Sequence, residues 1–259
     1  MTIDVTFFTP HEELKEAMPP VPASKFWPEW FKKQHGAKNM VPGSEKNGMA
    51  PDGSHQDGYQ TVKSCPAVLD VLNMGYVIPL WSDYKVKRVE KNEHCPQGLV
   101  WRMPAGLGSN MFGAATHPHE QVSAYPFPPD TFEGTFKLIN PWSVKTPSGY
   151  SCYVCAPHYN KHGNIEVLDG VIDTDIYHEM HVNTWFTAPI DEEVLLPMGM
   201  PIVQIIPFKR EEFQMDIQVG DHRSMRNKVT QFIHNVTFKA QNYRSNDGSP
   251  AKLSPKRYK

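Results

Sequence analysis

Between residues 76 and 208 the chain repeats short runs of β-branched and aromatic residues, separated by Gly, Pro, Asn and Asp. The run at 181–187 alternates apolar and polar positions, as expected of a strand with one buried face. Few helix-length segments intervene, so parallel βαβ units are not expected. The pattern predicts a mostly β fold, an antiparallel sandwich or barrel, with strands at 76–81, 85–89, 99–102, 135–139, 149–155, 165–168, 181–187, 193–196 and 201–207.

The segments on either side of the strands have different patterns. Residues 1–60 contain a Pro-rich stretch, an aromatic-rich stretch and a polar loop, which we interpret as an N-terminal arm followed by a mobile loop. The aromatics of the arm cover the core or contact a neighbouring subunit. A short helix is predicted at 65–75, with Pro66 at its start and Gly75 past its end. Three regions are therefore expected: 1–60, a β-rich domain at 61–218, and 219–259.

The last region is expected to begin with a helix. From Asp221 to about Arg244 the chain lacks Gly and Pro, and its apolar residues fall largely at helical spacing. Asp221 is suited to cap the start of this helix. The final residues are basic and form a solvated tail or, less favourably, contact a polyanion.

Composition excludes several classes of function. The chain has 26 Lys and Arg against 28 Asp and Glu, a net charge of −2, which predicts no attraction to nucleic acid or anionic membranes. No apolar run is long enough to span a membrane, and the N-terminus does not resemble a signal peptide. The four cysteines are therefore interpreted as free thiols, and the expected location is the cytoplasm.

Two histidines separated by one residue suggest a metal site. In an extended segment His117 and His119 point to the same side and could bind one ion. This arrangement resembles the first motif of cupins, whose second motif supplies a further histidine. A divalent metal is thus a candidate cofactor, and the alternative is a polar loop with two exposed imidazoles. The candidate ligands are His117, His119, Glu120, His178 and His181.

The spacing of Cys152 and Cys155 also occurs in redox and zinc motifs. Here the pair lies in a run that favours a strand, in which residues three apart face opposite sides of the sheet. That geometry opposes both a disulfide and shared metal binding. We therefore predict two structural thiols.

A third candidate is the segment 168–179, which combines a turn pattern carrying three aspartates with a tyrosine, a histidine and a glutamate after it. The order Gly-Val-Ile-Asp-x-Asp, an alternating strand and then residues 199–206 resembles the third and fourth motifs of dUTPases and dCTP deaminases. Residues 146–149 stand where that family has its Ser-Gly phosphate motif. The resemblance implies a β-clip topology, with Asp173, Asp175 and Tyr177 as catalytic candidates. The implied ligand-binding residues are Ser148, Gly149, Tyr150, Gly170 and Gln204.

This chain departs from the dUTPase pattern in several places. Ile176 stands where the tyrosine of the motif is expected, and Tyr177 follows one place late. The arginine of the Ser-Gly motif, the Ala-Gly-x-Asp-Leu motif and the C-terminal Gly-rich loop are absent, and each would contact phosphate or base. The resemblance therefore favours a related topology over the same activity.

A broader resemblance is to an uncharacterised family of phage and bacterial proteins; it is carried by residues 63–66, 75–76, 141–150, 173–175, 183–187, 199–201 and 206–208. It implies an accessory phage protein and identifies no catalytic residue. The arm and the β-clip resemblance favour a homo-oligomer.

The leading hypothesis is binding of a small anionic or nucleotide-like ligand between 146–150 and 170–181, with turnover undecided. The alternatives are a metal-dependent cupin-like oxygenase or isomerase, and a non-enzymatic phage structural or interaction protein.

Overall fold

The computed structural model describes residues 3–34, 61–104, 113–217 and 219. The chain divides into two compact units. The first comprises Met1–Pro28 and Val71–Glu211, and the second comprises Glu29–Asp70 and Glu212–Lys259. The N-terminal residues up to Pro28 are thus grouped with most of the strands. The polar loop predicted at 35–60 and the helix predicted at 221–244 lie outside the described residues.

The described residues form fourteen strands, and every pairing between them is antiparallel, which confirms the mostly β prediction. The strands are β1 (Thr6–Phe8), β2 (Val21–Pro22), β3 (Tyr76–Pro79), β4 (Tyr84–Arg88), β5 (Leu99–Arg102), β6 (Ala114–His117), β7 (Thr135–Leu138), β8 (Ser143–Lys145), β9 (Tyr150–Cys155), β10 (Ile165–Val167), β11 (Gly170–Ile172), β12 (Val182–Phe186), β13 (Glu193–Leu196) and β14 (Pro201–Lys209).

These strands form four sheets. The five-stranded sheet has the order β11-β9-β14-β3-β2, and the four-stranded sheet has the order β10-β12-β7-β6. A three-stranded sheet has the order β13-β4-β5, and β1 pairs with β8. Alternate residues of the strands face a shared core, which includes Trp81, Tyr84, Phe136, Phe186 and Ile205, all at most 2% exposed.

Three α-helices lie in the described residues: α1 (Glu12–Ala17), α2 (Glu29–Lys33) and α3 (Pro66–Asn73). α3 confirms the helix predicted at 65–75, because Pro66 is its first residue. Gly75 follows with a φ of +70°, and a Cβ atom there would lie 2.0 Å from the carbonyl oxygen of Ile205. Only glycine fits this conformation and this close approach.

The N-terminal residues belong to the first unit through strand pairing and burial. Thr6–Phe8 pairs with Ser143–Lys145, and Val21–Pro22 adds to the edge of the five-stranded sheet. Leu14 is 2% exposed and belongs to the core. This part of the expected arm therefore covers the core of its own chain.

Candidate functional site

The carboxylates singled out by the sequence lie on a turn that directly follows β11. Asp173 comes first, and residues 174–176 form the turn. The carbonyl oxygen of Asp173 accepts hydrogen bonds from the amides of Ile176 and Tyr177, at 2.9 and 2.8 Å. The prediction that Asp173, Asp175 and Tyr177 lie at or beside a turn is confirmed.

Asp175 forms a bidentate ion pair with Arg210, the residue after β14. The two terminal nitrogens of the Arg210 guanidinium donate to Oδ1 and Oδ2 of Asp175, at 2.9 and 2.5 Å, and the amide of Gly149 donates to Oδ2 at 2.8 Å. The hydrogen bond from Arg210, followed by the bond from Gly149, lowers the pKa of Asp175 to about 2. Only 6% of its side chain is exposed. Asp175 therefore stays ionised and joins the turn to β9 and β14.

Asp173 is more open than Asp175, although it shares the same arginine. Ser151 donates to Oδ1 of Asp173 at 2.6 Å, and Nη1 of Arg210 lies 3.1 Å from the same oxygen. The Asp173 side chain is 55% exposed. Because both contacts fall on Oδ1, Oδ2 is the oxygen of this group that can accept a bond from a ligand.

A buried pair of threonines lies beneath the turn. The hydroxyl oxygens of Thr146 and Thr174 are 2.7 Å apart, and both residues are at most 3% exposed. The Thr146 hydroxyl also lies 3.1 Å from the carbonyl oxygen of Tyr150, and the Thr174 hydroxyl lies 3.3 Å from Sγ of Cys152. Because each hydroxyl has one proton to donate, two of these three hydrogen bonds form at a time. The structure thus brings together the two segments, 146–150 and 170–181, that the sequence predicts to line a site.

We call the turn at 174–176, the threonine pair beneath it and their partners Gly149 and Arg210 the turn cluster. Three predicted ligand-binding residues, Ser148, Gly149 and Tyr150, lie in this cluster, where β8 is connected to the start of β9. Ser148 and Gly149 form the turn, and Gly149 has a φ of +82°, which favours glycine. This conformation accompanies the bond from the Gly149 amide to Asp175. The carbonyl oxygen of Tyr150 also accepts from Arg210, at 3.3 Å. Gly149 and Tyr150 therefore act in the cluster through their main-chain atoms.

The other two predicted ligand-binding residues lie elsewhere in the five-stranded sheet. Gly170 starts the edge strand β11, opposite Val154. Gln204 is 2% exposed, and its side-chain amide donates to the carbonyl oxygens of Val71 and Met74, at 3.2 and 2.7 Å. Its Oε1 accepts from the amide of His158 at 3.0 Å. Gln204 is therefore not part of the turn cluster, because five strand positions, roughly 17 Å, separate it from Lys209.

One face of the five-stranded sheet leads to the turn cluster. The strand registers place two rows of side chains across β14, β9 and β11 on this face, and Arg210 lies at its end. Val171 is 60% exposed and Phe208 is 38% exposed. We call this surface the platform; its rows are Ile206, Tyr153 and Val171, followed by Phe208, Ser151 and Asp173.

A third carboxylate, that of Asp169, borders the platform. The hydroxyl of Tyr153 donates to Oδ2 of Asp169 at 2.5 Å. This hydrogen bond to an ionised carboxylate raises the pKa of Tyr153 to about 12, so the phenol stays protonated at neutral pH. Tyr153 therefore presents its ring to the platform while its hydroxyl is bound at the edge.

Three predicted metal ligands line one surface cavity of about 160 Å³ beside β6. His117 ends that strand, and His119 and Glu120 lie in the single 3₁₀ turn after it. Nδ1 of His119 donates to the carbonyl oxygen of Glu133 at 3.2 Å, which leaves Nε2 as its available ligand atom. The cavity also contains the ion pair between Lys91 and Glu133, at 3.7 Å.

The remaining two predicted metal ligands do not join this cavity. Nδ1 of His178 donates to the carbonyl oxygen of Thr174 at 2.9 Å, next to the turn cluster. His181 precedes β12; burial, together with the charge of Lys137, lowers its pKa. In the described ranges no group of three or more His, Cys, Asp or Glu side chains is placed to hold a metal ion. The structure therefore does not bring the five predicted ligands together.

All four cysteines are free, which confirms the prediction of unpaired thiols. Cys152 is fully buried in the core, where burial raises its pKa. Cys155 lies outside that core, and its Sγ is 3.8 Å from Nε2 of His158. Burial raises the pKa of Cys155 to about 12, so this thiol is not a nucleophile at neutral pH.

The sequence interpretation missed Arg210, Ser151, Tyr153, Asp169 and Phe208. It ended the last strand at residue 207, whereas β14 continues to Lys209 opposite Tyr150. The charged run from Lys209 to Glu212 marked the strand end, but nothing local to that run indicates its partner.

The fold and the cluster together define a mostly β protein with a carboxylate–arginine site at one end of a sheet face. No family model matches the chain, and no curated protein matches it. The β-clip and phage-family resemblances therefore stay predictions. None of the helices in the described ranges is long and apolar enough to cross a membrane.

Proposed function

We propose that this protein binds a small nucleoside-like ligand, a planar ring carrying hydroxyl groups, on the platform. The observation that carries the proposal is the row Phe208, Ser151 and Asp173, in which an exposed ring and an open carboxylate lie two strands apart. A planar ring stacks on aromatic side chains, and a hydroxyl group donates to a carboxylate oxygen. The two rows span roughly 10 Å by 7 Å, about the size of one nucleoside.

The charge around the platform favours an uncharged nucleoside over a ligand that carries phosphate. The platform and its borders carry three carboxylates, Asp169, Asp173 and Asp175, against the one guanidinium of Arg210. Arg210 already donates to Tyr150, Ser151 and Asp175. A free phosphate at this position would meet an excess of negative charge. The nucleoside part of a nucleotide-like ligand is therefore favoured over a purely anionic ligand.

The two carboxylates among the catalytic candidates differ in what they can do to a bound ligand. Asp175 has its oxygens bound by Arg210 and Gly149, so its role is to hold the turn. Asp173 has the open Oδ2 and accepts the ligand hydroxyl; in a reaction it would be the group that takes a proton. Tyr177 is 56% exposed beside this turn. Binding is the proposed function, and turnover is a separate outcome of the test.

The test is isothermal titration calorimetry with the common nucleosides and their triphosphates, with and without Mg²⁺. We expect a nucleoside to bind, and we expect Asp173→Asn and Phe208→Ala each to weaken binding about 10-fold or more. Matched controls are Glu193→Gln, an ion-paired carboxylate, and Leu195→Ala, a 51% exposed side chain, both on β13 of another sheet. The controls should bind as the wild type does.

Product analysis by chromatography of the same mixtures decides turnover. Binding without product supports a binding protein, and product formation that Asp173→Asn abolishes supports an enzyme. If no nucleoside or nucleotide binds, or if the controls weaken binding as much as the platform variants do, the proposal is wrong.

A further inference from the structure

Two carboxylates stand at opposite ends of the platform, because Asp169 and Asp173 flank β11. Asp169 is the residue before this strand and Asp173 is the residue after it. They are four positions apart, so in an extended chain their side chains project from the same face of the sheet. The hydrogen bonds from Tyr153 to Asp169 and from Ser151 to Asp173 agree with this placement, since both donors lie on the platform. A ligand on the platform therefore lies between two carboxylates.

The separation of the two carboxylates matches the length of one nucleoside. Four residues of a strand span roughly 13 Å. A hydrogen bond at each end takes up about 3 Å, which leaves roughly 7 Å for the ligand. This length is comparable to the distance from the ribose hydroxyls to the edge of the base that lies away from the sugar. A nucleoside whose ribose is bound by Asp173 therefore places this far edge of its base at Asp169.

Tyr153 determines which atom of Asp169 is left for a ligand. The Tyr153 hydroxyl donates to Oδ2 of Asp169 at 2.5 Å, and within the described ranges no other group donates to this carboxylate. The pKa of Tyr153, raised to about 12, keeps the phenol protonated, so Tyr153 is the donor of this bond. Asp169 is exposed, and its Oδ1 can accept a further hydrogen bond.

The other side chains in the same row as Asp169 have no polar group left for a ligand. Gln204 lies opposite Cys155 on the neighbouring strand. The side-chain amide of Gln204 is hydrogen-bonded to main-chain groups through both its nitrogen and its oxygen. Cys155 is 2% exposed. Asp169 is therefore the residue of this row that can contact the base.

We propose that Asp169 selects nucleosides whose base carries an amino group at its far edge, as in adenosine and cytidine. A carboxylate accepts hydrogen bonds and does not donate them. It binds an amino group at this position and repels the carbonyl oxygen that replaces the amino group in inosine and uridine. This inference rests on the proposed nucleoside site and adds its base preference.

The first test compares nucleosides in matched pairs by isothermal titration calorimetry. Adenosine and inosine form one pair, and cytidine and uridine form the other; the members of each pair differ by an amino group against a carbonyl oxygen at one ring position. We expect the amino member of each pair to bind the wild type at least about 10-fold more tightly, because a hydrogen bond to a charged group is replaced by a repulsive contact.

The second test is a reversal of this preference in Asp169→Asn. In this variant the Tyr153 hydroxyl donates to the amide oxygen, so the amide nitrogen is left to donate to a carbonyl oxygen of the base. Inosine and uridine should then bind more tightly than adenosine and cytidine, by about 3-fold or more. Partial unfolding cannot produce a reversal, because it would weaken both members of a pair alike.

Two further variants serve as controls. Adding Tyr153→Phe to Asp169→Asn removes the donor that orients the amide, so the two members of each pair should bind within about 2-fold of each other. Glu166→Gln changes an exposed carboxylate on β10 of the four-stranded sheet in the same way. It should keep the preference of the wild type.

The outcomes separate this inference from the proposed function. Equal binding within both pairs by the wild type, or a preference that Asp169→Asn leaves unchanged, would overturn the inference while the nucleoside site stands. If no nucleoside binds, both the site and its base preference are wrong. A reversal that persists after Tyr153→Phe would remove the orienting role of Tyr153.

Discussion

Two regions of this molecule carry the residue types of a functional site, but only one of them is assembled. At the end of the platform, Gly149, Asp173, Asp175 and Arg210 come from three chain segments and bond to one another. Beside β6, His117, His119 and Glu120 lie close in sequence and line one cavity, but within the part of the chain described no three His, Cys, Asp or Glu side chains are placed to hold one metal ion. Sequence proximity therefore did not identify the assembled site, whereas strand pairing did.

The largest effect is expected from a substitution that disrupts the assembled region. Arg210→Ala removes the donors to Asp175, Asp173 and Ser151 and leaves two nearby carboxylates without their counter-charge. We expect Tm to fall by roughly 5 °C or more, because the mostly buried carboxylate of Asp175 loses the positive charge that offsets its desolvation. Differential scanning calorimetry measures the change. The matched control is Arg102→Ala, whose side chain is 68% exposed and pairs with Glu193. Its Tm should change by about 1 °C or less, and an equal loss in both variants would contradict the comparison.

The second prediction concerns the loss of unfolding free energy at low pH. The pKa of Asp175 in the folded protein, about 2, lies below the value of about 4 expected in the unfolded chain. Stability from this group is therefore present above pH 4 and is lost as the pH falls from about 4 to 2. Asp175→Asn should flatten this part of the curve of unfolding free energy against pH, measured with urea. The same slope in both proteins would show that Asp175 is not held as described.

A smaller effect is expected from the threonine pair. Thr174→Val removes the hydroxyl that contacts Thr146 and Cys152 at a fully buried position. We expect a loss of about 1 kcal/mol in the free energy of unfolding, the usual cost of a lost internal hydrogen bond. Thr174→Ser keeps the hydroxyl and should recover at least half of this loss. If the valine variant is as stable as the wild type, the pair does not stabilise the turn.

The smallest effect is expected in the histidine region. Zn²⁺ or Ni²⁺ should change the Tm of the wild type and of His119→Ala by the same amount, within about 1 °C, because a tight site needs a third convergent ligand. A metal-dependent rise in Tm that disappears in His119→Ala would restore the metal hypothesis. The comparison between the two regions would then fail.

Much of the fold was predictable because strand signals are local. The alternation at 181–187 corresponds to β12, and the Pro66 and Gly75 signals bound α3. The three-residue spacing of the cysteines also sufficed to predict that they remain unpaired. The sequence pattern did not predict β6, β8 and β11 as strands. β6 and β8 each contain only one β-branched residue, and β11 begins with a glycine directly after Asp169, which is a turn signal.

The sequence by itself determined the fold class and the turn at Asp173, because each depends on neighbouring residues. Only the tertiary structure decided which carboxylate is closed and which is open. Asp173 and Asp175 are two residues apart and chemically equivalent as isolated side chains. Arg210 reaches them because β14 pairs with β9, a contact between residues about sixty positions apart. That pairing occupies both oxygens of Asp175 and leaves Oδ2 of Asp173 open, which no local pattern encodes.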